Sequence, residues 1–196
     1  MAIREDKFRK ILDAAVEAFA ESGFYQCQVA KIARLAGVAD GTIYLYFKSK
    51  EEILIRLFQE RMGQFNADVR SRIDRSTDTY AKLKAIVEAH FSYMGQNRSM
   101  AVVTQLELRQ PDTRIRTAIR EPVLEYFRLI EGVVQAGIEN KEVAEVNVRA
   151  ARQMIFGALD EAVTDWVLAK NPRPLMGQAE TLLELFAGAL RLRKAS

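Results

Sequence analysis

Apolar residues recur at intervals of three and four along most of the chain, and this spacing predicts amphipathic helices. The pattern begins at Phe8 and continues to Ala20. Further apolar stripes of the same spacing run over 53–69, 80–94, 115–134, 151–167 and 182–192. With only 4 prolines and 10 glycines, the chain has little room for long stretches of coil. We therefore predict an all-α protein.

The segment 28–47 has the pattern of two short helices separated by a tight turn. Its first half carries one apolar stripe, made of Val29, Ile32, Ala33 and Ala36. Gly37 is predicted to end this helix, because glycine enters the left-handed conformation without a steric penalty. Asp40 is expected to accept hydrogen bonds from the first amides of the second helix. Two short helices with a glycine turn form a helix-turn-helix, whose second helix fits the major groove of DNA.

The second helix of this motif is rich in hydroxyl groups and is followed by lysines. Most hydrogen bonds between proteins and DNA go to the sugar–phosphate backbone, which such side chains can grip. The alternative is a buried helix with two tyrosines in the core, but tyrosine usually keeps its hydroxyl wet or paired. The predicted DNA-contacting residues are Gln28, Val29, Ala39, Asp40, Gly41, Thr42, Tyr44, Leu45, Tyr46, Lys48 and Lys50.

A capping box formed by Ser49 and Glu52 is predicted to open a long helix after the motif. This helix begins against the motif and then leaves it, so we interpret it as the lever between two parts of the chain. We divide the chain into a three-helix DNA-binding domain at 1–50 and a larger helical effector-binding and dimerisation domain at 51–196.

Composition narrows the class of protein further. A chain of 196 residues with 49% apolar content can bury a sizeable core. No apolar run is long enough to span a membrane, and the charged start is not typical of a signal peptide.

The single cysteine, Cys27, excludes an internal disulfide and indicates a reducing cytoplasm. At a helix start Cys27 could have a lowered pKa, although we prefer a capping role. The net charge of +3 gives only weak support for nucleic-acid binding, so the motif carries that prediction.

The last two stripes predict helices suited to dimerisation. The helix at 182–192 is apolar nearly all round and needs burial on more than one face. Together with the helix at 151–167 and a symmetry copy of both, it would make a four-helix interface. A twofold dimer also suits DNA, because recognition helices about one helical turn (~34 Å) apart read a palindrome.

Residues 80–170 combine methionines, aromatic residues and small residues, which suits a cavity for an apolar guest. Pro122 is expected to kink its helix or end it locally, leaving space between neighbours. Between Arg98 and Arg120 lie five arginines against two acids, and arginine matches phosphate with its forked donors. A long acyl chain tied to a phosphate-rich head, as in a fatty acyl-CoA, fits this combination. The alternatives are an ordinary core and a solvated run of charge, and His90 is interpreted as a core residue.

The motif resembles the DNA-binding domain of TetR-type transcriptional repressors, in order and without gaps over roughly residues 8 to 57. The matching residues are Gly23-Phe24, Val29, Ile32-Ala33, Ala36-Gly37-Val38, Gly41-Thr42-Ile43-Tyr44, Tyr46-Phe47 and Lys50-Glu51-Glu52. Cys27 and Gln28 stand where the family usually has a threonine or serine cap. Ala39 replaces a usual serine, and Asp40 stands where a basic or small residue is common.

The chain as a whole is similar to the TetR-type FadR regulators of fatty-acid degradation. The segments that carry this resemblance are 38–47, 62–65, 103–110 and 151–157. The resemblance implies a dimeric repressor of β-oxidation genes that long-chain acyl-CoA releases from its operator. The predicted effector-binding residues are Phe65, Phe91, Met94, Gln105, Leu106, Leu108, Arg109, Arg116, Arg120, Tyr126, Phe127, Met154, Phe156, Gly157 and Trp166.

Two other functions compete with this one. The first is a TetR-type repressor that responds to another hydrophobic ligand, such as a drug or a lipid. The second is an acyl-CoA carrier or enzyme that does not bind DNA. The sequence has no nucleophile elbow, no metal-ligand spacing and no glycine-rich phosphate loop. We therefore expect no catalytic residues, no metal and no cofactor besides the effector.

Overall fold

The structure, a computed structural model, describes residues 2–107 and 112–192, and every regular element within them is a helix. The α-helices are α1 (Ala2–Ser22), α2 (Val29–Ala36), α3 (Asp40–Ile43), α4 (Lys50–Asp74), α5 (Thr79–Gln96), α6 (Arg98–Val102), α7 (Thr113–Glu139), α8 (Val148–Leu168) and α9 (Ala179–Ala189). A π-helical turn, Val103–Glu107, follows α6, and a 3-10 turn, Leu175–Gln178, precedes α9. The prediction of an all-α fold is confirmed.

The chain forms two compact units. The first unit comprises Met1–Met62 and Asn97–Arg120, and the second unit comprises Gly63–Gln96 and Glu121–Ser196. Helices α4 and α7 therefore contribute residues to both. The functional boundary after residue 50 stays a prediction.

The core of the first unit lies where the apolar spacing predicts it. Ile11, Ala15 and Phe19 of α1 are fully buried, and Ile32 of α2 is buried with them. Phe47, just after α3, closes this core, and its ring stacks on Phe8 with 5.2 Å between the ring centroids. Helix α6 and the π-helical turn also pack on α1.

The turn of the helix-turn-helix has the predicted glycine geometry. Gly37 has a φ of 67°, in the left-handed region, and its amide donates to carbonyl oxygens of the last turn of α2. The start of α3 differs from the prediction, because Ala39 occupies the cap position and makes no side-chain cap bond. Asp40 is the first helical residue, so the prediction that it caps the helix is wrong. Its charge in the first turn still favours the helix electrostatically.

The start of α4 follows the predicted capping box in one of its two bonds. The Glu52 amide donates to the Ser49 hydroxyl at 3.2 Å. The Glu52 carboxylate, however, accepts from the Lys48 amide at 2.7 Å and not from the amide of Ser49.

The second unit packs α5 against α8 and α9. Its fully buried apolar residues include Leu83, Ile86, Phe91, Ile155, Leu159 and Val163. Asn147 caps α8, since its side chain accepts from the Ala150 amide at 2.9 Å.

Helix α7 runs through Pro122 without interruption, so of the two expected effects the proline does not end the helix, and a kink stays a prediction. A helical proline removes one amide donor and leaves the carbonyl four residues earlier without its usual partner. That carbonyl, of Ala118, has a side-chain donor from α4 instead. The Pro122 carbonyl itself accepts from the Asn66 side chain at 2.9 Å.

Candidate DNA-binding surface and effector region

The predicted DNA-contacting residues all lie at the surface of the first unit, either exposed or half-buried. Tyr44 is 59% exposed and Leu45 is 73% exposed, whereas Ile43 and Phe47 on the inner side are buried. The segment 40–47, which we call the α3 segment, is therefore anchored by these two apolar residues and turns its hydroxyl-bearing face to solvent. The regular helix is short, because the chain turns at 44–46 after Ile43.

A surface hollow of about 350 Å³ lies between the start of α2 and the α3 segment. It is lined by Cys27, Gln28, Val29, Ala30, Asp40, Tyr44 and Lys50. Gln28 is the cap residue of α2 and makes no side-chain cap bond. A helix N-terminus carries a partial positive charge and favours anions such as a DNA phosphate.

Lys50 has a structural role that the sequence did not indicate. Its ammonium group donates to the carbonyl oxygens of Phe24 at 2.7 Å, Tyr25 at 3.0 Å and Cys27 at 3.0 Å. An ammonium group has three donors, so these three bonds use all of them. It also lies 4.7 Å from the centroid of the Phe24 ring. Lys50 thus holds the turn between α1 and α2, and its contact with DNA stays a prediction.

Two further basic residues of the first unit, Lys48 and Arg4, are accessible to solvent. Lys48 is exposed, and the guanidinium carbon of Arg4 lies 5.9 Å from the centroid of the Tyr46 ring. Arg4 belongs to the basic start of α1.

Cys27 is 3% exposed, and burial raises the pKa of its thiol. The prediction that its position lowers the pKa is therefore wrong, because loss of hydration outweighs the nearby lysines. The predicted capping role is also wrong. The cap of α2 is Gln28, and the Cys27 thiol lies 3.6 Å from the Gln28 carbonyl oxygen.

In the second unit, several predicted effector residues form one aromatic cluster. The Phe65 and Tyr126 ring centroids are 5.0 Å apart, and Phe156 lies 6.1 Å from Tyr126 and 4.8 Å from Phe127. Phe65 and Tyr126 are fully buried. The cluster therefore brings together residues from α4, α7 and α8.

His90 belongs to this cluster and was not among the predicted effector residues. It is 3% exposed, as the core interpretation predicts, and its Nδ1 lies 3.1 Å from the Tyr126 hydroxyl. Its Nε2 is buried and has no hydrogen-bond partner among the described residues. Burial lowers the pKa of His90 to about 4, and the charge of Asp160 acts in the opposite direction. His90 is therefore neutral near pH 7.

The other predicted effector residues of the second unit are spread between the edge of this cluster, a hollow and the surface. Phe91 is buried at the edge, where its ring centroid lies 6.1 Å from that of His90. Phe91 and Trp166 line a hollow of about 280 Å³ beside the 3-10 turn. Met94 is buried, whereas Met154 and Gly157 are exposed in the isolated chain.

The remaining predicted effector residues lie along the segment 97–120 of the first unit. Gln105 is buried and Leu106 is 44% exposed. Leu108 and Arg109 lie outside the described residues. Arg116 and Arg120 at the start of α7 are exposed. Their neighbour Arg114 pairs instead with Asp112 at 2.9 Å, and that pairing lowers the pKa of the carboxyl.

Neither a metal centre nor a membrane span emerges from the described part of the chain. Within residues 2–107 and 112–192, no group of His, Cys, Asp and Glu residues is placed to hold a metal ion. No helix in the same ranges combines the length and apolar content needed to cross a bilayer.

An exposed helix-turn-helix on a small helical core, joined to a larger helical part, defines a helix-turn-helix DNA-binding regulator. Comparison with known families specifies which one. The model of bacterial regulatory proteins of the tetR family matches residues 11–57, and that of the C-terminal region of YsiA-like proteins matches 58–189. The chain belongs to the TetR family, and the predicted family is confirmed.

The similarity to known proteins extends over nearly the whole chain. The chain is 44% identical over 191 residues to the fatty acid metabolism regulator protein of Bacillus subtilis (strain 168), which covers 97% of this chain and 98% of that protein. The crystal structure of FadR from Bacillus subtilis in complex with stearoyl-CoA has a TM-score of 0.88 at 46% identity, over 91% of this chain and 97% of that one. The fatty acid degradation regulator FadR from Bacillus halodurans has a TM-score of 0.89 at 45% identity, over 94% and 100%.

Proposed function

We propose that this protein is a dimeric repressor of fatty-acid degradation genes that long-chain acyl-CoA releases from a palindromic operator. The observation that carries the proposal is the reach of the similarity, which covers 97% of this chain and includes the second half. A relative with a TM-score of 0.88 is the FadR protein crystallised with stearoyl-CoA. Because the operators of bacterial regulators lie in the cytoplasm, we place its action there. We assign no catalytic step to it.

DNA binding is assigned to the exposed face of the helix-turn-helix. The hydroxyls of Tyr44 and Tyr46, the ammonium of Lys48 and the amides at the start of α2 are suited to phosphate oxygens. The tip of α3 is the part available for base edges in the major groove. Asp40 would repel phosphate there, so we place its carboxylate over the bases, where it can accept from cytosine.

Dimerisation is assigned to α8 and α9. In the isolated chain, Met154 is 36%, Leu168 65% and Leu185 61% exposed. Large apolar side chains in this number on the last two helices favour burial against a second copy. A twofold dimer would present two helix-turn-helix motifs about one DNA turn (~34 Å) apart, as a palindrome requires.

The acyl chain is assigned to the aromatic cluster around Phe65 and Tyr126. Aromatic and methionine side chains present apolar surface that can adapt to a flexible chain. The phosphates of the CoA head are assigned to the arginine-bearing segment, which runs from Arg98 to Arg120. Within the part of it that the structure describes, Arg116 and Arg120 are the candidates. Both are exposed, so their guanidinium groups are accessible to a phosphate.

Release from DNA follows from differential binding. A ligand shifts a conformational equilibrium only by the difference between its affinities for the two states. We propose that acyl-CoA binds more tightly to a state whose two DNA-binding domains do not match the operator. The coupling between the two sites then has to be reciprocal, so operator DNA must also weaken acyl-CoA binding.

Calorimetric titration with stearoyl-CoA and with stearate tests the nature of the ligand. We expect stearoyl-CoA to bind more tightly, and replacing Arg116 and Arg120 together by alanine to weaken the CoA ester selectively. Arg75→Ala, which replaces an exposed arginine in the turn after α4, serves as the matched control. If stearate binds as tightly as stearoyl-CoA, the second candidate, a repressor that responds to another lipid or drug, is favoured.

A further inference from the structure

Glu107 makes a long-range bond to the backbone of the DNA-binding domain. Its carboxylate Oε2 accepts a hydrogen bond from the Phe24 amide at 2.7 Å. A Cβ atom on Gly23 would lie 3.6 Å from the other oxygen of the same carboxylate. Phe24 lies in the turn between α1 and α2, and both partners belong to the first unit. The carboxylate thus rests directly on the turn that leads into the helix-turn-helix.

Phe24 joins several parts of that domain. Its ring is 3% exposed and lies edge-on to Phe19, with 5.4 Å between the centroids. Its carbonyl oxygen accepts from Lys50 at 2.7 Å, and Lys50 also donates to the carbonyl of Cys27, two residues before α2. Lys50 links the Phe24 carbonyl to the Cys27 carbonyl. A shift of the Phe24 backbone would therefore be passed on to the start of α2.

The segment that carries Glu107 has an unusual conformation. Val103–Glu107 forms a π-helical turn directly after α6, with Val103 and Gln105 buried. Single π-helical turns are rare and occur frequently at functional sites. The described residues of 97–120 belong to the same compact unit as residues 1–62. The same segment contains Arg116 and Arg120, which are our candidates for the CoA phosphates.

We propose that Glu107 is the positioning residue that transmits acyl-CoA binding to the helix-turn-helix. The inference rests on the proposed function, because it needs a ligand that binds the arginine-bearing segment. Movement of the π-helical turn displaces the Glu107 carboxylate, and the Phe24 amide moves with it. The displacement passes through the turn held by Lys50 to the N-terminus of α2, where Gln28 and Val29 face the hollow.

A second bond between the same segment and α1 provides a matched comparison. The Ser99 hydroxyl donates to the Glu17 carboxylate at 2.7 Å. This bond joins two side chains at the surface and holds no backbone group of the turn before α2. Ser99→Ala should therefore leave the response to ligand unchanged, although it removes a bond of similar length.

The experiment measures operator affinity by fluorescence anisotropy with and without saturating stearoyl-CoA, and stearoyl-CoA affinity by calorimetry. In Glu107→Ala, we expect the ligand-induced change in operator affinity to fall at least about tenfold, while stearoyl-CoA affinity stays within about threefold. Glu107→Gln retains an oxygen that accepts from the Phe24 amide, so it should keep most of the response. Glu107→Asp, with a shorter reach, should lose the response and serves as the second variant if the alanine protein does not fold.

The outcomes separate the two proposals. If wild-type protein does not bind stearoyl-CoA, or keeps its operator affinity when bound, the proposed function fails and the coupling fails with it. If wild type responds and Glu107→Ala or Glu107→Asp responds equally, the role of Glu107 alone is overturned. A Glu107 variant could also lose operator affinity equally with and without ligand, so that the ratio of the two affinities matches wild type. That result would assign Glu107 a role in stability only and would also overturn the inference.

Discussion

The Gln59 side-chain amide donates a hydrogen bond to the Ala118 carbonyl oxygen at 3.0 Å. Ala118 lies four residues before Pro122, so its carbonyl is the one that has no helical donor. Helix α4 thus supplies the bond that the proline removes from α7, and α7 continues as a helix to Glu139. Gln59, the residue that supplies the missing donor, lies 59 residues before Ala118 in the sequence.

A double-mutant cycle tests this relationship. Gln59→Ala should lower the free energy of unfolding by about 1 kcal/mol, because the Ala118 carbonyl loses its donor. In the Pro122→Ala background the new backbone amide can donate to the same carbonyl, so Gln59→Ala should cost clearly less. Urea denaturation of the four proteins measures the difference. Equal costs in both backgrounds would contradict the assigned role of Gln59.

Two glycines of α7 should respond to alanine in opposite directions. A Cβ on Gly137 would lie 2.7 Å from Val143 Cγ2 and 2.8 Å from Thr79 Oγ1. Gly137→Ala should therefore destabilise the protein by about 2 kcal/mol through overpacking. A Cβ on Gly132 in the same helix would meet open space, and Gly132→Ala should stabilise by about 0.5–1 kcal/mol through helix propensity. Denaturation midpoints that move in the same direction for both variants would refute this.

The periodic part of the fold was predictable from the sequence. The α1 stripe through Ile11 and Phe19 and the left-handed Gly37 both follow from local rules, namely apolar spacing and the steric freedom of glycine. The same holds for the cap at Asn147, whose side chain needs only a partner three residues away.

The long-range polar contacts were not predictable. Lys50 bonds to carbonyl groups that lie 23 to 26 residues earlier, and Glu107 bonds to an amide 83 residues earlier. No periodic pattern marks such a partner, because a single hydrogen bond leaves no trace in the apolar spacing. Pro122 illustrates the same limit. The rule that proline breaks a helix considers that helix alone, whereas here the Gln59 side chain of α4 supplies the missing donor to α7.

The two lysines that flank Ser49 should affect DNA binding by different routes. Lys48 is exposed, and Lys48→Ala should reduce the slope of log K against log salt by about one, with unchanged stability. Lys50→Ala removes the donor of three carbonyl groups, so it should lower the thermal midpoint of unfolding as well as operator affinity. Salt-dependent anisotropy and thermal unfolding of both variants measure this. A Lys50→Ala protein of wild-type stability would show that the turn does not depend on this side chain.

Stability at mildly acidic pH should depend on His90. Burial lowers its pKa to about 4 from 6.5, so the unfolded chain binds a proton in that interval and the folded protein does not. The free energy of unfolding should therefore fall as the pH drops from 6.5 towards 4, by up to about 3 kcal/mol from this group. His90→Gln should lack this part of the pH dependence, which urea denaturation at pH 7, 6 and 5 measures. Parallel pH profiles for the two proteins would contradict the buried, neutral state of His90.

Operator binding with and without a bound long-chain acyl-CoA is the most direct measurement of the proposed regulation. A labelled promoter fragment of a β-oxidation gene is titrated with the dimer, first alone and then with saturating stearoyl-CoA. We expect the ligand to weaken operator binding at least about tenfold. If calorimetry shows stearoyl-CoA bound and the operator affinity is unchanged, the protein is not an acyl-CoA-released repressor.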